Sequence, residues 1–551
     1  DGDEVFDVWL RVLDARDDLA RGEHQPIAYK RVRAEGRRGV FMLTEAHETD
    51  LVGTYWEISD QHSGRKFGHG EVIEQEADEL TLLSGRPLGG LPATAVLVPY
   101  DAPSAISLNR QRNAVVAVRN GTTPGPDLRG VLINPSVNAQ PAAEGISEWF
   151  ADLDPAKKRA VELALGAKDV LVIHGPPGTG KTRFIAETVS QLLKKQRGAR
   201  ILIASQTNVA VDNAVEGLHG AGVRGLVRLS GADESVVQPQ VREFLLDKQA
   251  RHWADGVRAR ARGNITRQAA SLGIEPGHLD AALTLQELVT VSGEYELAQE
   301  QADALRATET DSSDLLTAVE DDNPAERLQA RLDQLTDRRQ ELARQAQAFL
   351  AGDLTIPTQI GSAEARSAID ALLGASDAGR ELLKRLELQA AWLEGIGAED
   401  SLISIFLAGT SVLAGTCTGF LRIKAVSQLE FDLCIVDEAS KATLTEALVP
   451  MSRAKRWILV GDTHQLPPTD EELLRATSIL DEHGISKENV TETLFQRLVD
   501  QLPAHSQLAL DEQYRMVRPI GDLISTCFYD GKLRSPRTEG LAGYDKVMGR
   551  A

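Results

Sequence analysis

The sequence predicts an α/β protein: a doubly wound parallel sheet, preceded by a small β-barrel and interrupted by a long helical, coiled-coil insertion. Three observations predict it. Buried-strand runs alternate with amphipathic helices from Leu153 to Val211, and strand signals return after about Phe406. The first 150 residues carry short alternating strands separated by turn signals. Between the two α/β stretches, large apolar residues recur every seven positions on a charged background.

Residues 1–150 read as an accessory module with a barrel and linking helices. Its strand candidates are Gly53–Ile58, Gly70–Ile73 and Ala95–Pro99, with a turn at His62-Ser63-Gly64. A helix follows from Ser107 to Val118, and Thr122-Thr123-Pro124-Gly125-Pro126 breaks it. Lys30, Arg31, Arg33, Arg37 and Arg38 form the densest basic cluster, which fits either a solvated turn or a nucleic-acid contact.

Residues 151–220 are expected to form the first half of the α/β domain, and 406–505 its second half. The intervening 221–405 read as an insertion. Leu328, Leu335, Leu342 and Phe349 hold one heptad position, and Leu332 and Ala346 its companion, as in a coiled-coil hairpin. Asp311 to Asp322 is acidic and reads as a hairpin tip or loop. The arm fits a structural spacer, or a docking site for a protein partner. Residues 506–551 are expected to begin a second α/β domain.

The chain has 551 residues, enough for several cores, and a net charge of −21. Such a charge suits a soluble protein and disfavours general polyanion binding, although a local basic track suffices for a strand. Cys417, Cys434 and Cys527 lack metal-ligand spacing, so a reducing compartment, the cytoplasm, is expected. Neither a signal peptide nor a membrane-length apolar run is visible, so no membrane partner is expected. The chain starts at Asp1 rather than Met, so an incomplete or processed N-terminus is expected.

The chemistry is concentrated in a few motifs. Gly175-Pro176-Pro177-Gly178-Thr179-Gly180-Lys181-Thr182 matches G-x-x-x-x-G-K-[ST]. It follows the apolar run Asp169–Ile173 and precedes a helical segment, Arg183–Lys195, as a phosphate loop requires. Backbone N–H groups and the helix N-terminus would face phosphates, Lys181 the β/γ-phosphates, and the Thr182 hydroxyl Mg²⁺. A nucleoside triphosphate is the expected ligand, with ATP and Mg²⁺ as the pair. A second apolar run, Phe431–Val436, ends in Asp437-Glu438. Carboxylates at the carboxyl end of such a strand reach the ligand crevice. Asp437 can hold Mg²⁺ through water, and Glu438 can take the proton of an attacking water.

Trp457–Val460 runs into Gly461-Asp462-Thr463-His464-Gln465-Leu466-Pro467-Pro468, and Leu508–Leu510 into Asp511-Glu512-Gln513-Tyr514-Arg515-Met516. With Ser205–Asn213, Ala414–Thr418, Leu494–Leu498 and Phe528–Leu533, these sets resemble the ordered motifs of superfamily-1 helicases. The resemblance is closest to subfamily B, the up-frameshift and senataxin-like branch. It implies a RecA-like motor that couples ATP hydrolysis to 5′→3′ movement on single-stranded or partly duplex DNA or RNA. An ATP-driven nucleic-acid clamp or sensor without unwinding is the alternative. A P-loop ATPase acting on proteins is a third reading.

The resemblance also implies residue roles. Gln465 would sense the γ-phosphate, Arg515 act as an arginine finger, and Tyr514 pack on the base. Thr207, Asn208 and Thr416 would contact strand phosphates, and Pro467 and Pro468 form a ledge near the bases. Three positions depart from the family. Lys157 stands at a glutamine position that reads adenine, which leaves ATP against other triphosphates open. Lys441 stands where glutamine is frequent, and Val517-Arg518-Pro519 where a His-Pro pair is usual. The family's last motifs, with a second arginine finger, have no counterpart, so residues 1–551 alone are expected not to unwind.

Overall fold

The computed structural model describes residues 2–22, 26–45, 51, 55–60, 65–76, 78–84, 88, 90–100, 102–125, 127–230, 236–310, 324–350, 355–374, 377, 379–386, 388 and 399–536. The expected turn at 62–64, the start of the strand expected at Gly53, Pro126, the acidic stretch 311–322 and residues 537–551 lie outside them. Contacts divide the chain into two units: Asp1–Gln249 with Leu407–Ala551, and Ala250–Phe406.

In the first unit a helix, Glu4–Gly22, leads into six antiparallel strands. These are β1 (Ile27–Glu35), β2 (Arg38–Leu43), β3 (Tyr55–Ser59), β4 (Lys66–Glu76), β5 (Glu79–Ser84) and β6 (Ala95–Pro99). They close into a barrel in the order β1-β2-β5-β4-β3-β6. Alternation places Tyr29, Phe41, Trp56, Ile58, Leu80, Leu82 and Leu97 inside. Closure removes the unpaired edges that an open six-stranded sheet would expose. The linking helix spans Ala102–Arg119, a few residues longer at its start than its apolar pattern suggests.

Seven further strands form one parallel sheet. They are β7 (Val170–His174), β8 (Ile201–Ser205), β9 (Leu226–Arg228), β10 (Val412–Thr416), β11 (Leu433–Asp437), β12 (Trp457–Gly461) and β13 (Gln507–Ala509). Their order is β13-β7-β12-β11-β8-β10-β9. Helices cover both faces, so the middle strands are apolar throughout rather than alternating. β10 lies between β8 and β9, although the helical segment separates it from both in sequence. The chain therefore leaves one sheet and returns to it.

Two strands differ from expectation. β9 has only three residues and includes a charged one, Arg228, so no periodicity announces it. β13 lies past the boundary drawn at 505/506, yet it pairs with β7 through Gln507–Val172, Leu508–Ile173 and Ala509–His174. The first α/β sheet thus extends to Ala509, because a parallel edge strand completes the hydrogen bonding of β7.

The second unit is helical. Pro276–Thr310, Pro324–Ala348 and Ser362–Leu373 pack with the end of a helix that spans Leu246–Ser271. Leu285, Leu288, Leu342, Ala346, Leu350 and Ile369 lie in one core. Leu332 joins Ala298 and Ala302 in a smaller cluster that Leu328 and Leu335 flank. Phe349 is 43% exposed while Leu350 is buried, because the helix ends at Ala348 and the chain turns. No helix among the described residues is long and apolar enough to cross a membrane.

Candidate active site

The phosphate loop joins β7 to the helix Lys181–Lys195, and its backbone is anchored on both sides. The Gly175 N–H donates to the Gly461 carbonyl at 2.8 Å, tying the loop to the end of β12. Gly178 and Gly180 have φ of +79° and +80°, the left-handed region that side chains avoid. A Cβ on Gly178 would lie 2.5 Å from the Arg515 Cβ, and one on Gly180 2.8 Å from the Lys157 Cε. Thr179 is buried, and its hydroxyl donates to the Pro176 carbonyl at 2.7 Å, bracing the loop from within. Gly180 caps the helix without a side chain, so no side-chain cap competes for the first-turn N–H groups.

Lys181 reaches across the sheet edge. Its ammonium donates to the Gly175 carbonyl at 3.1 Å and pairs with Glu438 Oε1 at 3.0 Å. Thr182 lies against the helix Asn208–Gly220, close enough that a Cβ on Gly217 would fall 2.2 Å from its methyl. Asp437 ends β11 and is buried. Burial, reinforced by the Glu438 charge, pushes its carboxyl up to about 6, against the pull of Lys181. Glu438 has φ of +52°, unusual for a residue with a side chain. Burial alone would raise its carboxyl, but the Lys181 and Lys441 ammonium groups hold it below the usual range. Its Oε2 is buried without a hydrogen bond, with the Lys441 Nζ 3.5 Å away. A buried carboxylate beside an acceptor without a hydrogen bond, with Lys181 ion-paired next to it, fits a triphosphate with a hard cation.

The loop after β12 carries Gln465. Its amide donates to Asp462 Oδ2 at 3.2 Å, and the Tyr529 hydroxyl donates to the same oxygen at 2.7 Å. Asp462 also accepts from the His464 N–H, while its own N–H donates to Ser440 Oγ. Asp462 and Tyr529 therefore position the glutamine, a role the motifs did not assign. Asp462 follows a strand end as Asp437 ends one, a signal that was available. Tyr529 lies in the motif set Phe528–Leu533, but only folding shows that its partner is Asp462.

The segment 511–516 lies directly on the phosphate loop. The Tyr514 N–H donates to the Gly178 carbonyl at 2.9 Å, and the Arg515 backbone sits against Gly178. Gln513 is buried and locks the turn, donating to the Met516 carbonyl and accepting from the Met516 N–H. The Tyr514 ring is 45% exposed and its hydroxyl donates to Glu512 at 2.6 Å. On the ring lies the Lys157 ammonium, 5.1 Å from the centroid and ion-paired with Asp154.

The residues expected to grip a strand lie at or just after the carboxyl ends of β8, β10 and β12. Thr416 and Ser205 are in register, which places Thr207, Asn208 and Thr416 on adjoining strand ends. Their oxygens already serve the fold. Thr207 caps the following helix by accepting from the Ala210 N–H, and Thr416 accepts from the Gly419 N–H. Asn208 Oδ1 accepts from Arg228 Nη2 at 2.8 Å, so its amide oxygen is committed to the fold. Arg228 is fully buried and pairs with the equally buried Asp212 at 2.8 Å, which fixes the start of this helix. Pro467 is exposed and Pro468 half-buried, next to Leu466, an apolar side chain that is 89% exposed. On the barrel, Arg31, Arg33 and Arg38 line a concavity of about 440 Å³ together with Val40, Met42 and Glu79.

A glycine-rich phosphate loop, a strand-end acidic pair and a glutamine loop on one parallel sheet define a P-loop nucleotide-hydrolase domain. A family model described as an AAA domain, AAA_11, matches residues 152–470, and a second AAA domain model, AAA_12, matches residues 490–545. The chain belongs to this family, within the superfamily-1 subfamily B helicases. It is 25% identical to "DNA-binding protein SMUBP-2" of Mesocricetus auratus over 90% of this chain and 42% of that protein. It is 25% identical to an uncharacterized ATP-dependent helicase of Methanocaldococcus jannaschii, over 72% of this chain and 48% of the relative. Identity to "Helicase sen1" of Schizosaccharomyces pombe is 24%, over 73% of this chain and 22% of that protein. The chain spans less than half the length of these curated relatives. A crystal structure of the DUF1998 helicase MrfA bound to DNA aligns with 63% of this chain and 55% of its own at 12% identity. Its TM-score of 0.15 carries no structural argument.

Proposed function

We propose that this chain hydrolyses ATP when it engages a nucleic-acid strand, as a helicase motor moving 5′→3′ on DNA or RNA. The observation that carries the reading is the Lys181–Glu438 ion pair at 3.0 Å, beside a loop on which Arg515 directly rests. Loop N–H groups from Gly175 to Thr182 and the Lys181 ammonium would hold the phosphates. Thr182 and Asp437 would hold Mg²⁺, which when bound neutralises phosphate charge. Glu438 accepts the proton of the attacking water, a role that its depressed pKa suits by keeping it ionised. Gln465, steadied by Asp462, orients toward the γ-phosphate, and Arg515 neutralises charge as the bond breaks.

Thr207, Asn208, Thr416 and the Pro467-Pro468 ledge serve the strand, and the arginines of the barrel extend its track. In this reading residues 1–150 are an accessory module, 151–249 and 407–509 the first motor domain, since β9 at Leu226–Arg228 moves the expected 220/221 boundary later, and the segment from Leu510 begins the second. The insertion 250–406 is a coiled-coil arm suited to a protein partner, supported by its heptad leucines. The free cysteines Cys417, Cys434 and Cys527 of the chain suit the cytoplasm.

The test is phosphate release by residues 1–551 with Mg²⁺, alone and with single-stranded DNA or RNA. Stimulation by either strand is expected, and its loss in Glu438→Gln. Hydrolysis that no strand stimulates overturns the nucleic-acid coupling.

A further inference from the structure

We propose that Arg110 and Arg422 form a phosphate clamp for the nucleic-acid strand, joining the helix after the barrel to the loop after β10. The proposal rests on the reading of Thr207, Asn208 and Thr416 as strand contacts, and it adds two residues that lie outside the motifs.

The helix Ala102–Arg119 carries three arginines. Arg112 is paired with Asp14 and Arg119 with Asp7, both on the first helix, Glu4–Gly22. Arg110 is used differently. It is half-buried, and its Nη1 donates to the Thr418 carbonyl at 2.7 Å. That carbonyl lies two residues past Thr416, the last residue of β10, in a turn where Thr416 Oγ1 accepts from the Gly419 N–H at 3.2 Å. The barrel's linking helix is thus fastened to the loop that carries Thr416. The bond takes one of the five guanidinium N–H groups, and a carbonyl neutralises no charge.

Arg422 comes to the same turn from the loop itself. Thr418 opens the short helix Gly419–Arg422, and Arg422 ends it as an exposed side chain. Burial first, and then the Arg422 charge, pulls the Arg110 guanidinium below its usual range. Among the described residues neither arginine has a carboxylate partner. Two guanidinium groups drawn together repel, and an anion beside them removes that cost. A phosphodiester presents the paired oxygens that a guanidinium fork matches. The position favours a strand. Thr416 is in register with Ser205, so the Arg110–Thr418 contact adjoins the end of β8, which Thr207 and Asn208 follow. The hydroxyls and amide there are neutral, and the arginines supply the charge that dominates affinity for a polyanion. In a chain of net charge −21, that attraction has to be local.

The experiment is fluorescence anisotropy of labelled oligothymidylate with residues 1–551, without nucleotide, from about 50 to about 200 mM salt. For a single strand, the logarithm of the binding constant falls with the logarithm of salt concentration, with a slope of about −0.7 per neutralised phosphate. Arg422→Gln should therefore make the slope shallower by about 0.7, so that its affinity deficit shrinks about 2.6-fold across that range. Adding Arg110→Gln should remove about 0.7 more. Arg422→Lys keeps the charge and should keep the wild-type slope, which a packing role would not predict. Arg385→Gln, which removes an arginine paired with Glu381 in the helical unit, makes the same change in net charge and should leave the slope unaltered. A wild-type slope in Arg422→Gln, or an equal change in Arg385→Gln, overturns the clamp and leaves the proposed function standing. Failure of the wild-type chain to bind the strand at any salt concentration overturns both.

Discussion

The nucleotide edge and the strand-contact edge belong to the same sheet, yet they are assembled differently. At the nucleotide edge the decisive contacts join segments distant in sequence: Gly175 with Gly461, Lys181 with Glu438, Tyr514 with Gly178. At the strand-contact edge the hydroxyls of Thr207 and Thr416 are spent within their own turns, on Ala210 and Gly419. Bond cleavage requires reacting groups fixed relative to one another, which cross-bracing suits under the proposed function. A moving strand needs repeated, interchangeable grips on its backbone, which local turns would provide if the proposed strand contacts hold.

That contrast can be broken by mutation. The largest effect should come from Arg515→Ala, which removes the proposed arginine finger and should slow turnover by about 10³-fold or more with nucleotide affinity little changed. Single-turnover hydrolysis and displacement binding separate the two, and equal losses in both would assign Arg515 to binding. Glu438→Gln should lower turnover by about 10²–10⁴-fold, the range for a lost general base, while the loop still binds nucleotide. On the strand-contact side, Arg228→Ala leaves Asp212 buried without its partner and should cost about 3–5 kcal/mol in urea unfolding. A smaller loss would mean that the Gln238 N–H, which donates to Asp212 at 2.9 Å, suffices. A smaller effect belongs to Thr207→Ala, about 1 kcal/mol from the lost helix cap. Strand affinity, measured by fluorescence anisotropy, should fall only a few-fold, in keeping with shared phosphate contacts. A loss of strand affinity as large as the turnover loss in Arg515→Ala would erase the distinction between the edges.

Tyr529→Phe sharpens the comparison, because Tyr529 joins the late segment to the glutamine loop. Removing its hydroxyl takes one hydrogen bond from Asp462 and should cost about 0.5–1.5 kcal/mol in stability. Strand-stimulated turnover should fall further than basal turnover. Equal falls would reduce Tyr529 to packing.

Much of this site was legible before folding. The loop Gly175–Thr182 declares itself because a strand, glycines, Lys181 and a helix follow in one contiguous stretch. Asp437 and Glu438 declare themselves because a wholly apolar run ends in two carboxylates. The barrel and the return of the chain to its sheet were legible from alternation that stops and resumes. β9 was not, because three residues cannot display a period, and its buried Arg228 reads as solvent-facing until Asp212 is placed beside it. Nor was the commitment of Thr207 and Asn208 to a cap and to Arg228, since a motif names a side chain without naming its partners.

By itself the sequence determined the backbone geometry of the phosphate cradle, the acidic strand end, the barrel and the interrupted parallel sheet. Each follows from steric freedom, periodicity or burial within a short stretch of chain. Tertiary structure alone decided that Lys157 rests on Tyr514 with Asp154, that Tyr529 shares Asp462 with Gln465 from 67 residues away, and that β13 completes the first sheet. Those pairings satisfy buried charges and hydrogen-bonding groups, and which groups become buried together is known only once the chain has closed on itself.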